Sequence, residues 1–268
     1  MRYHPLLYRS MTHHGFEEGD MVLLYSQRES FLVRINGEIA RLRGRRGAVS
    51  TDRMIGAEEG SRLEIASKSF TLIRPDIRDI QENLERGPQI IVPKDSSMIV
   101  LGLGLSSGMN VLEGGAGSGA LTTVLLNAVS PEGTVVTYDI KKEHLEKAGR
   151  NVARTPWEGS WDPRVGDIAE SLPGMEMDAA VVDVPEPEIC IEKMADVLKI
   201  GGRFCSYVPT TNQMERVHGA LSRTGFTSIE ALEIVQRPYS VKKGAVRPVH
   251  EILAHTGFLV FARWPGII

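Results

Sequence analysis

The chain has 268 residues, 42% hydrophobic and 24% charged, an ordinary globular composition with material for one large domain or a medium and a small one. No stretch nears the length of a membrane helix and the first residues lack a signal-peptide core, which predicts a cytoplasmic protein with no membrane attachment. Net charge is −3, yet residues 1–75 hold 12 Lys+Arg against 9 Asp+Glu and the remainder 19 against 25, so the front of the chain is the part suited to a polyanion.

Residues 1–14 show no period and predict a loose terminus. From Asp20 the pattern turns β-like. Residues 21–25 and 31–35 predict strands, Asn36-Gly37 predicts a hairpin turn, and residues 38–42 predict the returning strand. Short strands continue to about Ile73, giving a small β-domain over 1–75. Arg41, Arg43, Arg45 and Arg46 lie within it, either as a solvated loop or as phosphate contacts, for which the guanidinium fork is suited. Residues 76–86 have helical character. A stiff link follows at 87–95, then a helix at 96–105, so 76–109 predicts a connecting region.

From Asn110 strands and helices alternate to about residue 224. Strands are expected at 111–112, 133–138, 161–165, 178–182 and 203–208. Helices are expected at 120–129, 141–153, 188–198 and 211–224. Such alternation predicts a parallel, doubly wound α/β sheet over 110–268. Residues 232–235 and 255–263 suit a closing antiparallel hairpin. Cys190 and Cys205 sit in apolar runs without metal-ligand spacing, so buried thiols and no metal site are expected.

Open α/β sheets bind ligands beyond the carboxyl ends of their strands, which selects the residues to examine. After the first strand comes Glu113-Gly114-Gly115-Ala116-Gly117-Ser118-Gly119-Ala120, a glycine-rich turn opening a helix. Glycines at 115, 117 and 119 allow positive φ and a close ligand, and the helix start offers free N–H groups. The spacing G-x-G-x-G differs from the dinucleotide pattern G-x-G-x-x-G. After the second strand, Asp139 can accept from ribose hydroxyls or cap a helix. After the third, Asp167 can accept from an adenine amino group, with Ile168 beside the ring, or act as a cap. After the fourth comes Asp183-Val184-Pro185-Glu186-Pro187, where two prolines stiffen the loop that presents Asp183.

The acid-led turn at Glu113 resembles motif I of the class I methyltransferases, which bind S-adenosylmethionine. The whole pattern over residues 15–263 resembles the tRNA (adenine-N1)-methyltransferase family that modifies adenine 58 in the T-loop. The resemblance rests on Gln89-Ile90-Ile91 with Pro93-Lys94-Asp95, on Glu113 to Gly119, and on Asp183 to Pro187. It rests also on Gly201-Gly202-Arg203-Phe204-Cys205-Ser206 and His255-Thr256-Gly257-Phe258. It implies a class I fold with an N-terminal β-domain, a homotetramer, tRNA as partner and S-adenosylmethionine as cofactor. By position, Ile91, Glu113, Gly115, Gly117, Ser118, Gly119, Ala120, Asp139, His144, Asp167, Ile168 and Asp183 would bind the cofactor. Asp183 would be the catalytic acid. Gln89, Val92 and Pro93 would line the target-base pocket, with the four arginines on the tRNA backbone.

This chain departs from the common family pattern at three places. Val92 stands where many members have an aromatic or histidine, Glu188 where a tryptophan is common, and Asp139 where glutamate is more frequent. Two other functions are compatible with the fold: a catalytically idle RNA-binding subunit, and a methyltransferase for a small molecule or protein residue.

Overall fold

The computed structural model describes residues 15–42, 47–85, 90–171, 173–250 and 254–266. Arg43, Arg45, Arg46, Gln89 and the 1–14 terminus lie outside the described residues. The chain divides into two compact units. One runs to Glu85 and includes Arg154–Pro156; the other comprises Arg86–Ala153 and Trp157–Ile268.

The first unit contains β1 (Met21–Tyr25), β2 (Ser30–Arg34), β3 (Ile39–Arg41), β4 (Ala48–Ser50), β5 (Arg62–Ile65), β6 (Lys68–Ile73) and α1 (Ile77–Asn83). Four strands form an antiparallel sheet in the order β2-β1-β6-β5, and β3 pairs only with β4 in a separate ribbon. The expected hairpin at Asn36-Gly37 is therefore corrected. The reversal falls at Ser26–Glu29, where the Ser26 N–H donates to the Glu29 carbonyl at 2.9 Å. At Asn36 the side chain accepts the Glu38 N–H at 3.2 Å, an Asx turn that hands the chain from sheet to ribbon. Alternating residues such as Val22, Leu24, Phe70 and Leu72 bury one face of the sheet with Phe16 and Met54.

The division at Glu85 falls beyond the expected boundary at 75, because α1 packs on β2. A capping box starts that helix: the Asp76 carboxylate accepts the Asp79 N–H, and the Asp79 carboxylate accepts the Asp76 N–H. Within 76–109 the described residues form two helices. The second helix, α2 (Pro93–Leu103), belongs to the second unit and starts earlier than expected, with Pro93 in the first helical position, where a missing N–H costs nothing.

The rest of the second unit is β7 (Asn110–Gly114), α3 (Ala120–Val129), β8 (Thr134–Asp139), α4 (Lys142–Val152), β9 (Trp161–Val165), β10 (Met177–Val182), α5 (Ile191–Val197), β11 (Leu198–Val208), α6 (Thr211–Thr224), β12 (Thr227–Leu232), β13 (Tyr239–Ser240), β14 (Arg247–Pro248) and β15 (Phe258–Arg263). The central sheet runs β12-β15-β11-β10-β7-β8-β9. The five strands from β11 to β9 are parallel, and β15 is antiparallel to both its neighbours. This is the class I, Rossmann-like arrangement with its antiparallel closing strand. Leu112, Val136, Ala180 and Phe204 face one apolar layer; Val111, Val135, Val181 and Cys205 face the other. That alternation on strands buried from both sides is what a doubly wound sheet demands.

Three expected elements differ in extent. The helix expected at 188–198 is a 3-10 turn at Pro187–Cys190 followed by α5. Strand β11 begins at Leu198, with a register shift against β10 between Met177 and Ala179. The hairpin strand expected at 232–235 is β12, ending at Leu232. Both cysteines are free and buried. Among the described residues no helix is long and apolar enough to cross a membrane.

Candidate active site

Four loops meet at the carboxyl edge of the parallel strands, and β7 supplies the central one. Gly115, Gly117 and Gly119 all have positive φ, at 91°, 53° and 78°. They are needed for different reasons. A Cβ on Gly115 would lie 2.2 Å from the Asp183 carbonyl oxygen, and one on Gly119 would lie 2.9 Å from the Ala148 Cα. A Cβ on Gly117 would meet nothing within 4 Å, so that side of the turn is open. Gly119 is the N-cap of α3, so the positive end of that helix's dipole lies at the turn.

The acids around this turn are spent on holding it. Asp139 is buried at the end of β8. Its Oδ2 accepts the N–H groups of Ala116 and Gly117 at 3.0 and 3.4 Å, and its Oδ1 accepts the Lys141 N–H at 2.9 Å. His144 Nδ1 lies 3.1 Å from the same Oδ2. Asp139 therefore does not cap α4, whose N-cap is Lys141. Most of its acceptor capacity is already engaged, so ribose hydroxyls would share Oδ1 or replace His144. Ser118 is fixed from behind: its carbonyl accepts the side-chain amide of buried Asn151 at 2.7 Å.

Glu113 lies beneath the turn, 1% exposed. Its Oε2 accepts the hydroxyls of Thr122 and Thr137 at 2.8 and 2.7 Å, and Thr137 in turn accepts the Trp161 indole N–H at 2.8 Å. Burial, outweighing these bonds, pushes the Glu113 carboxyl up to about 8. Its Oε1 is buried with no partner among the described residues. Ile91 packs into the apolar layer with Val111 and Leu125, so its side chain is a core residue.

At the end of β9, the Asp167 Oδ1 accepts the Ala169 N–H at 2.9 Å in a local turn, and the residue is exposed. Ile168 is buried against Gly114. At the end of β10, the Asp183 N–H donates to the Gly114 carbonyl at 2.8 Å, which locks this loop to the glycine turn. The Asp183 carboxylate accepts no hydrogen bond from the described residues. Solvent reaches it, yet protein crowds it, and that desolvation, with the Asp139 charge second, pushes its carboxyl up to about 6. Glu188 closes the loop onto α6: Arg216 Nε donates to its carboxylate, and Gln213 donates to the Pro185 carbonyl at 3.1 Å.

A buried ionic clamp lies at the start of α2. Lys94 Nζ donates to Asp95 Oδ1 at 2.7 Å, to the Ile234 carbonyl at 2.7 Å and to the Thr256 hydroxyl at 2.6 Å. Thr256 donates to Asp95 Oδ2 at 2.6 Å. The Lys94 and Asp95 side chains are 7% and 1% exposed. Tyr207, at the end of β11, donates to the Thr256 carbonyl at 2.5 Å; burial raises its phenol to about 12, with Asp95 and Asp183 adding to the rise. Gly257 lies against that ring, since a Cβ there would sit 2.5 Å from Tyr207 Cζ.

The structure thus gathers Glu113, the glycine turn, Asp139, His144, Asp167, Ile168 and Asp183 at one edge. Val92 and Pro93 open α2 in the same unit. Arg41 is exposed on β3 of the first unit. Sequence reasoning assigned no role to Asn151, Thr122, Thr137, Tyr207 or the clamp. The motifs Pro93-Lys94-Asp95 and His255-Thr256-Gly257 pointed to the clamp without revealing that their side chains meet.

Comparison with known proteins agrees with this geometry. Residues 75–247 match the family described as tRNA methyltransferase complex GCD14 subunit. The tRNA (adenine(57)-N(1)/adenine(58)-N(1))-methyltransferase TrmI of Methanocaldococcus jannaschii is 31% identical over 235 residues, 78% of this chain and 83% of that one. Among solved structures, a SAM-dependent O-methyltransferase from Thermotoga maritima is 32% identical with a TM-score of 0.81, covering 93% and 94% of the two chains. The tRNA (m1A58) methyltransferase TrmI from Aquifex aeolicus is 30% identical with a TM-score of 0.74, covering 93% and 98%. The match to the family over most of the second unit, and the relatives that span both, show that this chain belongs to the GCD14 family of tRNA methyltransferase subunits.

Proposed function

We propose that this chain transfers a methyl group from S-adenosylmethionine to N1 of adenine 58 in the tRNA T-loop; the name of the Methanocaldococcus relative adds adenine 57 as a second acceptor. The observation that carries the reading is the Asp183 carboxylate, unpartnered and bonded through its backbone to the glycine turn.

The groups present fit the cofactor. The open side of Gly117 and the first turn of α3 leave room for a ligand at the turn, Asp139 and His144 stand where a ribose would lie, and Asp167 Oδ2 and Ile168 suit an adenine. When bound, S-adenosylmethionine supplies an electrophilic methyl on a sulfonium. Adenine N1 has a free lone pair, so no proton need leave before attack. The work left to the protein is alignment and charge. N1 faces a partner in a pair or stack, so the base has to turn out to reach the edge. The methylated ring is cationic, and a fixed carboxylate at Asp183 favours that charge, can accept from the adenine N6 amino group and can hold the methionine ammonium. With a pKa of about 6, Asp183 is mainly ionised at neutral pH.

Arg41, exposed in the first unit, suits the tRNA backbone together with its neighbours in sequence. A homotetramer is the assembly that the family resemblance implies. Leu101 and Ile200, 73% and 82% exposed, give such an assembly apolar surface to bury.

The test is incubation of the purified chain with labelled S-adenosylmethionine and unmodified tRNA transcript, followed by nucleoside analysis. Labelled 1-methyladenosine that disappears when adenine 58 is replaced supports the reading. Label retained at adenine 57 adds the second acceptor. The name of the Thermotoga neighbour raises an oxygen acceptor, and label found only as a methyl ether or ester would favour that instead. Light scattering gives the subunit number.

A further inference from the structure

Between β12 and β15 the chain leaves the sheet and returns to it. Leu232 pairs with Leu259, and Phe258 pairs with Val208 at the end of β11. Both stalks of this excursion therefore emerge at the carboxyl edge, the edge that holds Asp183.

Within the excursion, residues 234–250 form a structured arm. Tyr239 and Ser240 pair with Pro248 and Arg247, and the Val249 N–H donates to the Pro238 carbonyl at 2.9 Å. At the tip the Ala245 N–H donates to the Lys242 carbonyl at 2.9 Å, a turn that Gly244 permits with φ of 76°. The root is closed twice. His255 Nδ1 lies 2.6 Å from the Glu233 carboxylate, and Lys94 holds both Ile234 and Thr256.

The arm's chemistry differs from that of the unit carrying it. Residues 234–250 contain Arg237, Lys242, Lys243 and Arg247 and no acidic residue, within a chain of net charge −3. All four cations are exposed. Elsewhere in the unit many cations face carboxylates: Lys94 with Asp95, Arg164 with Asp162, Lys199 with Asp178, and Arg216 with Glu188. Among the described residues, Arg237, Lys242 and Lys243 have no such partner. Tyr239, 54% exposed, adds an aromatic face. Unpaired cations interleaved with an aromatic ring suit sugar-phosphate backbone and bases, whereas a protein interface core is depleted in lysine.

We propose that the 234–250 arm is an RNA-contacting surface that grips tRNA phosphates beside the target base, rooted by the Lys94–Asp95 clamp. The inference rests on the tRNA reading above and adds a contact surface in the catalytic unit itself.

The test compares the full-length protein with the triple variant Arg237→Gln/Lys242→Gln/Lys243→Gln. The control is Lys193→Gln/Lys199→Gln, in which Lys199 lies at the opposite edge of the sheet. Unmodified tRNA transcript is the probe, and binding is measured across a salt series. The triple variant is expected to flatten the slope of log K against log salt by about 2–3, the loss of three phosphate contacts. Its KM for tRNA should rise at least about tenfold, with kcat, S-adenosylmethionine affinity and subunit number unchanged. The control should match the parent. An unchanged slope and KM in the triple variant overturns the proposal, as does an equal loss in the control. A change in subunit number with the salt slope intact also overturns it, because the arm would then be a protein contact. If the parent neither binds nor methylates tRNA, the underlying functional reading fails instead.

Discussion

The two halves of the carboxyl edge are built on opposite plans. Around the glycine turn the acids are consumed by structure: Asp139 takes three backbone N–H groups, and Glu113 takes two threonine hydroxyls. At the end of β10 the Asp183 carboxylate takes none, and its loop is held through backbone, prolines and α6. Such a division suits a transferase. On the proposed reading, the half that would hold the cofactor is over-determined, and the half that would face charge developing on the acceptor keeps a free charge.

The largest expected effect lies outside both halves, at the clamp that starts α2. Asp95→Ala leaves Lys94 buried without its carboxylate and should cost about 3–5 kcal/mol of folding stability. Replacing both partners, as Lys94→Met/Asp95→Asn, should recover most of it. Chemical denaturation of the three proteins decides, and a single variant as stable as the parent would remove the clamp from the argument.

Next in size, Asp183→Ala should slow single-turnover methylation of tRNA by about 10²-fold or more while the melting temperature stays close to the parent's. Asp183→Asn keeps the shape and loses the charge, so it should be impaired less. If both variants turn over at the parent rate, the contrast between the halves has no catalytic meaning.

The same carboxylate is expected to set a pH profile. With Asp183 raised to about 6 in the free protein, kcat/KM should fall as pH drops through 6, approaching tenfold per unit. The sign separates this from acid unfolding. A carboxyl with a raised folded pKa holds its proton more tightly when native. Its stabilising contribution is therefore present at low pH and fades as pH rises between 3.8 and about 6. A loss of folded protein over that same fall would point to another group.

The smallest effect belongs to the over-determined half. Asp139→Ala should weaken S-adenosylmethionine binding by about 1–3 kcal/mol, through lost ligand bonds and a looser turn together. Calorimetry giving an unchanged affinity would show that the carboxylate only braces the loop.

The parallel strands were legible because burial on both faces leaves continuous apolar runs, as in Ala179-Ala180-Val181-Val182, and because glycines and prolines punctuate them. Edge strand β12 was misplaced because its residues are mostly exposed and carry no alternation. The Asn36-Gly37 turn is real, but its partner strand is chosen by tertiary pairing that local sequence cannot fix. Lys94 and Asp95 read as the polar ends of a link, since a lysine beside an aspartate looks like surface. They are buried because their partners arrive from positions 234 and 256. Asn151 was likewise invisible, since its amide serves a carbonyl 33 residues earlier. In each case the signal is a long-range hydrogen bond, which leaves no period in the sequence.

The clamp also sets an order of events during synthesis. Lys94 is made early, and its acceptors at Ile234 and Thr256 follow 140 and 162 residues later. Until they emerge, α2 carries an ammonium group that has to stay in water, so its first turn cannot seat. Closing a loop of that length is a slow, non-local step. Completion of the clamp therefore waits for Thr256, just ahead of the closing strand β15.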